Sequence, residues 1–299
     1  MPEKIKIIYI AGTSRSGSTL LDMILGSAPE AFSLGEVSSY ANYRAKQGAK
    51  IKKPNYHCTC GKFLDECIFW KNVNERVAFN YDESNSAHNN FSLLKFILTP
   101  KQSKIKNRSY DDYELYSAAI ASAKESNSKV EYLVDSSKSP IRLRNILNNT
   151  RLEIFPIFLV RDGRGVINSL CRSSNKKWSL KNNNFGRALL LWVFTNLSIS
   201  RLLKNNPHRI HISYEKFCRD PKPFLNKIKS LTNINLNLDN PLQTINTTFR
   251  HNLDGNVIKL NPPTEITKDE KWKHELPWAK RLLATTIMYP FHKKWVYLK

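Results

Sequence analysis

The sequence predicts an α/β fold with a mostly parallel central sheet flanked by helices, because strand-like and helix-like segments alternate along the chain. Apolar runs lie at residues 4–11, at residues 130–134 and in LEIFPIFLV, which begins at Leu152, and a fourth strand is predicted near Arg209. Polar residues follow each run and lead into a segment with helical spacing of apolar side chains. Nearly continuous apolar strands are typical of parallel sheets that are covered on both faces.

Each predicted helix has its own signal for where it begins or ends. The segment STLLDMIL has apolar residues at helical spacing, and Gly26 is suited to end it. Pro140 is suited to the first turn of the helix in SPIRLRNIL. The segments GRGVINSLCR and NNFGRALLLWVFTNLSISRLLK predict two further helices, of which the second is a long core helix. The C-terminal helical pattern is expected to break at Pro277 and Pro290.

The composition is that of one globular domain. The chain has 299 residues, of which 41% are hydrophobic and 11% are aromatic, and this length allows a sizeable core. No internal repeat or linker is visible, so we predict a single domain over residues 1–299. The polar, weakly periodic stretches at 82–110 and 173–184 are predicted to be loops or lids.

The charge of the chain is strongly positive, since 47 Lys and Arg residues against 25 Asp and Glu residues give a formal net charge of +22. Such a surface suits nucleic acid, an anionic membrane or a polyanionic ligand. No block of consecutive basic residues occurs, which favours a globally basic surface over a nucleic-acid-binding tail. We therefore expect no nucleic-acid partner, and a basic nucleic-acid-binding protein remains an alternative.

No segment has the order of a signal peptide, and the longest apolar stretch is ALLLWVF. That stretch is far shorter than the roughly 20 residues that a membrane helix needs. We expect a soluble, cytoplasmic protein without a membrane span. The odd number of cysteines does not suggest a secreted disulfide scaffold.

The segment IIYIAGTSRSGSTLLDMIL contains a glycine-rich turn that is close to a Walker A loop. Gly12, Gly17 and Thr19 match the pattern G-x-x-x-x-G-K-[ST], while Ser18 stands at the lysine position. The backbone N–H groups of such a turn and the following helix N-terminus form an anion site. Side-chain donors suited to a tetrahedral oxyanion complete it: Arg15, Ser16, Ser18 and Thr19.

A nucleotide-dependent kinase is the first alternative, with Asp135 after the second strand as a metal-binding acid. The absent loop lysine makes this alternative weaker, because phosphoryl transferases with this loop use that charge on the transferred group.

The segment FLVRDGRGVINSL predicts a second anion site. Arg161 ends a strand, and Ser169 lies about two helical turns further on. Two anion sites, one at each of two strand–helix turns, suit a nucleotide that is phosphorylated at both ends. A salt-bridged turn, in which Asp162 pairs with Arg161 or Arg164, would explain the charges and leave Ser169 unexplained.

With these motifs the sequence resembles the sulfotransferases that use 3′-phosphoadenosine 5′-phosphosulfate (PAPS). SRSGSTLL resembles their 5′-phosphosulfate loop, and FLVRDGRGVINSL resembles their 3′-phosphate strand and helix. The resemblance extends from about residue 5 to about residue 275, and it is closer to the branch of tyrosylprotein and glycan sulfotransferases, which has arginine in the loop. It implies a P-loop-like three-layer sandwich and a hydroxyl-bearing acceptor, while the oligomeric state stays open.

The resemblance also implies residues that bind the donor. Arg15 would bind and polarise the sulfuryl group, while Ser16 to Thr19 would hold the 5′-phosphate. Arg161 and Ser169 would bind the 3′-phosphate. Three weaker matches are also implied. Tyr214 of SYEKF would line the nucleotide. The loop GNVIKLN and the Lys-Trp pair of DEKWK would close over the donor, with Lys259 and Lys271.

Two further residues are implied in catalysis. Glu36, in SLGEVSSY, matches the catalytic base, and Lys138, in VDSSKSP, matches a lysine that stabilises the bridging oxygen. Nearby cations would lower the pKa of Glu36 and burial would raise it, and the sequence leaves the balance open. The simpler alternatives are a carboxylate at a helix start and a solvated lysine in a turn. Because fixed cations would stabilise the charge, we expect no metal requirement.

The segment HCTCGKFLDECIFW concentrates possible metal ligands, namely His57, Cys58, Cys60 and Cys67. A C-x-C pair is a poor spacing for structural zinc. We therefore expect no metal here, and predict a packed loop with Cys67 and Trp70 in the core.

Overall fold

The computed structural model describes residues 3–45, 57–78, 111–172, 184–245 and 250–297. Five parallel strands form one sheet in the order β2-β3-β1-β4-β5. The strands are β1 (Ile5–Gly12), β2 (Ala31–Gly35), β3 (Tyr132–Lys138), β4 (Leu152–Val160) and β5 (Ile210–Ser213). The predicted α/β fold is thus confirmed, and in the described part of the chain every strand pairing is parallel.

The helices follow the strands in the predicted alternation. They are α1 (Ser18–Leu25), α2 (Tyr40–Ala45), α3 (Ile68–Arg76), α4 (Asp112–Ser126), α5 (Pro140–Leu147), α6 (Gly163–Arg172), α7 (Phe185–Leu202), α8 (Tyr214–Arg219), α9 (Lys222–Thr232), α10 (Trp272–Glu275) and α11 (Trp278–Trp295). Short 3₁₀ turns lie at Val37–Ser39 and Val257–Lys259. Among the described helices, none is both long and apolar enough to cross a bilayer.

The central strand β1 is buried on both faces, which gives the molecule its three layers. Ile7 and Tyr9 contribute to one core cluster, which the side chains of α3, α4, α6, α7 and α11 complete. Ile8 and Ile10 point into the other cluster, beneath α1, α8 and α9. Successive side chains of a strand alternate between the faces of a sheet, so a continuous apolar run is what this position requires.

Two features of the fold differ from the sequence expectation. The sequence reading missed β2, a short strand at one edge of the sheet. Pro290 was expected to break a helix, but it lies inside α11. Its ring is on the exposed side, while Met288 and Trp295 anchor the opposite face in the core. Packing of that face therefore outweighs the backbone hydrogen bond that proline removes.

The remaining expectations concern a helix break, two loops and the number of domains. Pro277 immediately precedes α11, as predicted for a break. The predicted loop at 82–110, and the predicted loop at 173–184 except for its last residue, lie outside the described residues. The assignment of residues 1–299 to one domain stays a prediction.

A buried ionic cluster supports the carboxyl end of β3. Arg142 Nη1 lies 2.6 Å from Asp112 Oδ1, and its Nε lies 2.9 Å from Asp135 Oδ2. The hydroxyl of Tyr116 donates to Asp135 Oδ2 over 2.6 Å. These contacts connect α4 and α5 to β3, so the cluster fixes the strand end from which Lys138 projects.

We predict that Arg142→Met strongly destabilises the fold. Removing one partner from a buried ion pair leaves uncompensated charge, which typically lowers the free energy of unfolding by about 3–5 kcal/mol. The matched control is Arg151→Met, whose partner Asp111 is exposed and whose loss should lower stability by about 1 kcal/mol or less. Chemical denaturation measures both, and equal effects of the two variants would contradict this role.

Candidate active site

A cavity of about 430 Å³ opens at the carboxyl ends of the strands. Such a position is where parallel α/β sheets bind ligands. Most of the residues singled out from the sequence line this one cavity: Arg15, Gly17, Ser18, Thr19, Glu36, Lys138, Arg161, Ser169 and Tyr214. Motifs that are far apart in sequence therefore meet at a single site.

The glycine-rich turn between β1 and α1 forms one wall of the cavity. Arg15 has a φ of 69° and Gly17 a φ of 91°, both in the left-handed region that favours glycine. A Cβ atom added at Gly17 would lie 2.6 Å from Cδ2 of Tyr214, so this position needs glycine for space as well. The first N–H groups of a helix have no partner within it, so the start of α1 has the kind of donors that bind anions in other proteins.

Ser16 lies beneath the turn and does not line the cavity. Its hydroxyl and that of Thr13 are buried, and neither has a hydrogen-bond partner among the described residues. Buried hydroxyls without a partner are uncommon in folded proteins, so this turn has hydrogen-bonding capacity that the described protein atoms do not use.

Arg161 joins the second strand–helix turn to the first. Its Nη1 donates to the carbonyl of Arg15 over 2.9 Å. Its Nη2 lies 3.0 Å from both the carbonyl and Oδ2 of Asp269. The guanidinium carbon lies 4.7 Å from the ring centroid of Tyr214, a geometry that supports a cation–π contact. The guanidinium is thus held at the cavity wall from three sides.

The RDGR turn contains a salt bridge that involves the other arginine. Arg164 Nη2 lies 2.6 Å from Asp162 Oδ2, whereas Arg161 lines the cavity. Gly165 makes room for this arrangement, because a Cβ atom added there would lie 3.0 Å from Arg161 Nε.

Glu36 and Lys138 form an ion pair inside the cavity. Lys138 Nζ lies 2.6 Å from Glu36 Oε1 and donates to the carbonyl of Ser136 over 3.0 Å. Lys138 has a φ of 67°, so the backbone turns sharply at the end of β3. Burial raises the pKa of Glu36, and attraction to Lys138 offsets part of that rise. Of the two opposing effects on the pKa of Glu36 that the sequence left open, burial is therefore the larger.

The kinase alternative is weakened by the position of Asp135. This residue is fully buried, and its carboxylate is engaged by Arg142, by Tyr116 and by the backbone N–H of Ser137. It does not line the cavity, so it is not placed to hold a metal–nucleotide complex there.

Besides Ser16, two predicted residues lie away from the cavity lining. Lys259 is 2% exposed, and its ammonium donates to the carbonyl of Asn252 over 3.3 Å. Burial lowers the pKa of Lys259, against attraction from Asp254. Lys271 is exposed and precedes α10, where its backbone N–H donates to Asp269 Oδ1 over 3.1 Å.

The sequence singled out GNVIKLN and DEKWK for Lys259 and Lys271, but other residues in or beside these segments line the cavity. The loop Asp254, Gly255, Asn256 and Ile258 lines it, as does Asp269. Gly255 has a φ of 125°, and a Cβ atom added there would lie 3.7 Å from Glu36 Oε1. The Asp-Gly pair in LDGN was an available turn signal.

The cysteine segment takes part in a cluster that its spacing did not indicate. Cys67 and Trp70 are buried, as predicted. The three cysteines, however, meet His251, and the four ligand atoms all lie within 4.8 Å of one another. His57 lies outside this group, and its ring packs against Phe63 with centroids 4.1 Å apart.

Comparison with known proteins identifies the fold and the family. The family model "Sulfotransferase family" matches residues 8–237, and no curated protein matches the chain. Among solved structures, sulfotransferase STF9 from Mycobacterium avium is similar, with a TM-score of 0.51 and 13% identity over 100% of this chain and 79% of that one. That likeness supports the P-loop-like α/β fold.

Two further solved structures match with lower TM-scores. The sulfotransferase domain of the Synechococcus PCC 7002 olefin synthase has a TM-score of 0.49 and 19% identity over 97% of this chain and 96% of that one. A retinol dehydratase in complex with androsterone and the inactive cofactor PAP has a TM-score of 0.44 and 14% identity over 100% and 84% of the two chains. Since the family model spans most of the chain and includes the glycine-rich turn and the RDGR turn, this protein belongs to the sulfotransferase family of enzymes.

Proposed function

We propose that this enzyme transfers a sulfuryl group from PAPS to an acceptor hydroxyl, with the donor bound in the cavity at the carboxyl ends of the strands. The observation that carries the proposal is that Arg15 and Arg161, from two different strand–helix turns, line one cavity and are joined by a hydrogen bond. A carrier with a phosphate at both ends needs two such positions side by side.

The residues of the cavity fit this donor. The turn from Ser16 to Thr19 and the N-terminus of α1 would hold the 5′-phosphate, with Ser16 contributing through the backbone of the turn because its side chain does not line the cavity. Arg161 and Ser169 would hold the 3′-phosphate, since guanidinium matches the geometry of phosphate oxygens. Tyr214 lies against both Gly17 and Arg161, and would line the nucleotide between the two ends.

Arg15, Lys138 and Glu36 would perform the chemistry. When bound, PAPS supplies the sulfuryl group and a phosphate leaving group. Arg15 would neutralise charge on the sulfuryl oxygens, and Lys138 charge on the bridging oxygen, an effect that is often the largest contribution in such sites. Glu36 would take the proton from the acceptor hydroxyl. Its raised pKa suits this role, because a base is most effective when its pKa is near the working pH.

The acceptor is defined here only as a hydroxyl compound, whether sugar, lipid, tyrosine or small alcohol. The segments 82–110 and 173–184, predicted to be loops or lids, lie almost entirely outside the described residues. A transfer screen with labelled sulfate over an acceptor library would identify the class. Three expectations stay predictions. They are that Lys259 and Lys271 close over the donor, that the protein is cytoplasmic, and that the sulfuryl transfer itself uses no metal.

Donor binding gives the first test of the site. Arg161→Ala should weaken binding of 3′-phosphoadenosine 5′-phosphate at least about tenfold, since a hydrogen bond to a charged group typically contributes about 1.5–3 kcal/mol. Arg151→Ala, which removes an equal charge at an exposed position, should leave binding unchanged in the same calorimetric titration. Binding of ATP with magnesium, without binding of the bisphosphate nucleotide, would instead favour the kinase alternative.

Turnover tests the base. Glu36→Gln should lower kcat by roughly 10²–10⁴, the usual contribution of general base catalysis, while affinity for the bisphosphate nucleotide stays near that of the wild type. Glu131→Gln, at an exposed residue, serves as the control. A Glu36→Gln enzyme with full turnover would remove Glu36 from this role.

The pH dependence of turnover follows from the raised pKa of Glu36. The carboxylate is the active form, so kcat should fall as pH drops through a pKa above the ordinary value of about 4.3 for glutamate. The residual activity of Glu36→Gln should lack this acidic limb. A pH–rate profile measures both enzymes, and an identical acidic limb in the variant would assign the titration to another group.

A further inference from the structure

Three cysteines and a histidine from distant parts of the chain converge next to the cavity. Cys58, Cys60 and Cys67 come from the segment before α3, and His251 comes from the segment before the cavity loop. We propose that these four residues bind one zinc ion, which joins the two segments and holds the cavity loop in place.

The distances among Cys58, Cys67 and His251 suit a single tetrahedral ion, and Cys60 Sγ lies within 4.8 Å of the other three ligand atoms. The Sγ atoms of Cys58 and Cys67 are 3.7 Å apart, and they lie 3.3 Å and 3.1 Å from His251 Nδ1. Bond lengths of about 2.3 Å to sulfur and 2.0–2.1 Å to nitrogen place tetrahedral ligands about 3.8 Å apart for two sulfurs and about 3.5 Å apart for sulfur and nitrogen. The two sulfurs are also far from the roughly 2.05 Å of a disulfide.

The ligand set selects the metal and its role. Three thiolates with one imidazole form a known structural zinc set, in which all four positions are filled by protein. Cys58 and Cys67 are fully buried, while Cys60 is partly exposed, so an ion could reach the site from solvent past Cys60. The C-x-C spacing argues against zinc only if all four ligands come from the same segment. His251 lies 184 residues after Cys67.

The local backbone brings the first two cysteines together. Gly61 N–H donates to the carbonyl of Cys58 over 3.0 Å, and Cys58 N–H donates to the carbonyl of Lys62 over 2.9 Å. Gly61 has a φ of 84°, which glycine adopts without strain. This tight turn directs both thiols of C-x-C toward one point.

Contacts within the protein orient His251 toward the three cysteines. The backbone N–H of His251 donates to the carbonyl of Ser33 over 3.3 Å, and its own carbonyl accepts from Trp70 Nε1 over 2.8 Å. Its ring lies nearly parallel to those of Phe32 and Phe69, with centroids 5.8 Å and 5.0 Å away. These contacts limit the orientation of the imidazole, which a metal-binding histidine requires.

The charge of the occupied site has a buried counter-ion. Zinc with three thiolates and a neutral imidazole carries a net charge of −1. Lys259, which is buried, is close enough to Cys58 and Asp254 to be attracted by both. A buried ammonium group needs such compensation, so Lys259 would neutralise the zinc site from the side of the cavity.

The ion would act on the donor site through the chain. His251 and Asn252 lead directly into Asp254 and Gly255, which line the cavity. A bond from zinc to His251 would therefore fix the start of this loop against the cysteine segment. This consequence for donor binding rests on the proposed function, whereas the zinc site itself does not.

Metal content tests the site first. The purified wild-type chain should contain one equivalent of zinc by mass spectrometry of the elements, and Cys67→Ser and His251→Ala should lose it. The matched controls are Cys171→Ser and His57→Ala, since Cys171 and His57 lie outside the group. Zinc that is absent from the wild type, or retained equally in His251→Ala and His57→Ala, would overturn the proposal, and so would a Cys58–Cys67 disulfide in the purified wild type.

A second measurement on the wild type covers the case in which the variants fail to fold. Cobalt exchanged for the metal should give the visible bands of a tetrahedral site and thiolate charge-transfer absorption. An octahedral cobalt spectrum would overturn the assignment, as would one equivalent of iron in place of zinc.

Donor affinity tests the consequence separately. Removing zinc from the wild type with a chelator should weaken binding of 3′-phosphoadenosine 5′-phosphate several-fold, and returning zinc should restore it. Stoichiometric zinc with unchanged affinity on removal would overturn the link to the loop. If the wild type holds zinc but does not bind this nucleotide at all, the donor assignment fails and the zinc site stands.

Discussion

The hydrogen bond from Arg161 to the carbonyl of Arg15 is the contact on which the site depends. It connects the turn after β4 to the turn after β1, and these strands are neighbours in the sheet. Parallel neighbours end at the same edge, so polar residues that follow them must meet there. The sheet supplies proximity, and this contact fixes the relative position of the two arginines.

The acids of the cavity hold its cations in place before any ligand binds. Glu36 engages Lys138 and Asp269 engages Arg161, while Asp254 accepts from Ser39 over 2.7 Å. Such fixed positions favour catalysis, because polar groups that are already oriented need little rearrangement when charge develops. They also explain why a cavity that we propose binds an anionic donor contains carboxylates: the positive charge of the chain is spread along the whole sequence, and local acids determine where the cations point.

The parts that could be predicted are those that depend on neighbours in sequence. β1, β4 and their following helices show local apolar patterns, and the glycine-rich turn shows its backbone requirement through Gly17. β2 was missed because it is short and its burial depends on α1 and on the segment after Arg250. His251 and Asp254 were missed for a related reason. Their partners are far away in sequence, and no spacing rule connects residues that meet only through the fold.

The segment 250–253 shows how these long-range contacts combine. The N–H groups of His251 and Leu253 donate to the carbonyls of Ser33 and Leu34, so the segment covers the outer edge of β2, which would otherwise expose unpaired backbone groups. The Asn252 side chain adds bonds to Asp22 and Ser33. β2 in turn leads directly into Glu36. Any interaction that tightens 250–253 against this edge therefore acts on both the cavity loop and the carboxylate of Glu36. Because the cysteine segment contacts His251, it helps to fix the position of Glu36 although it lies outside the cavity.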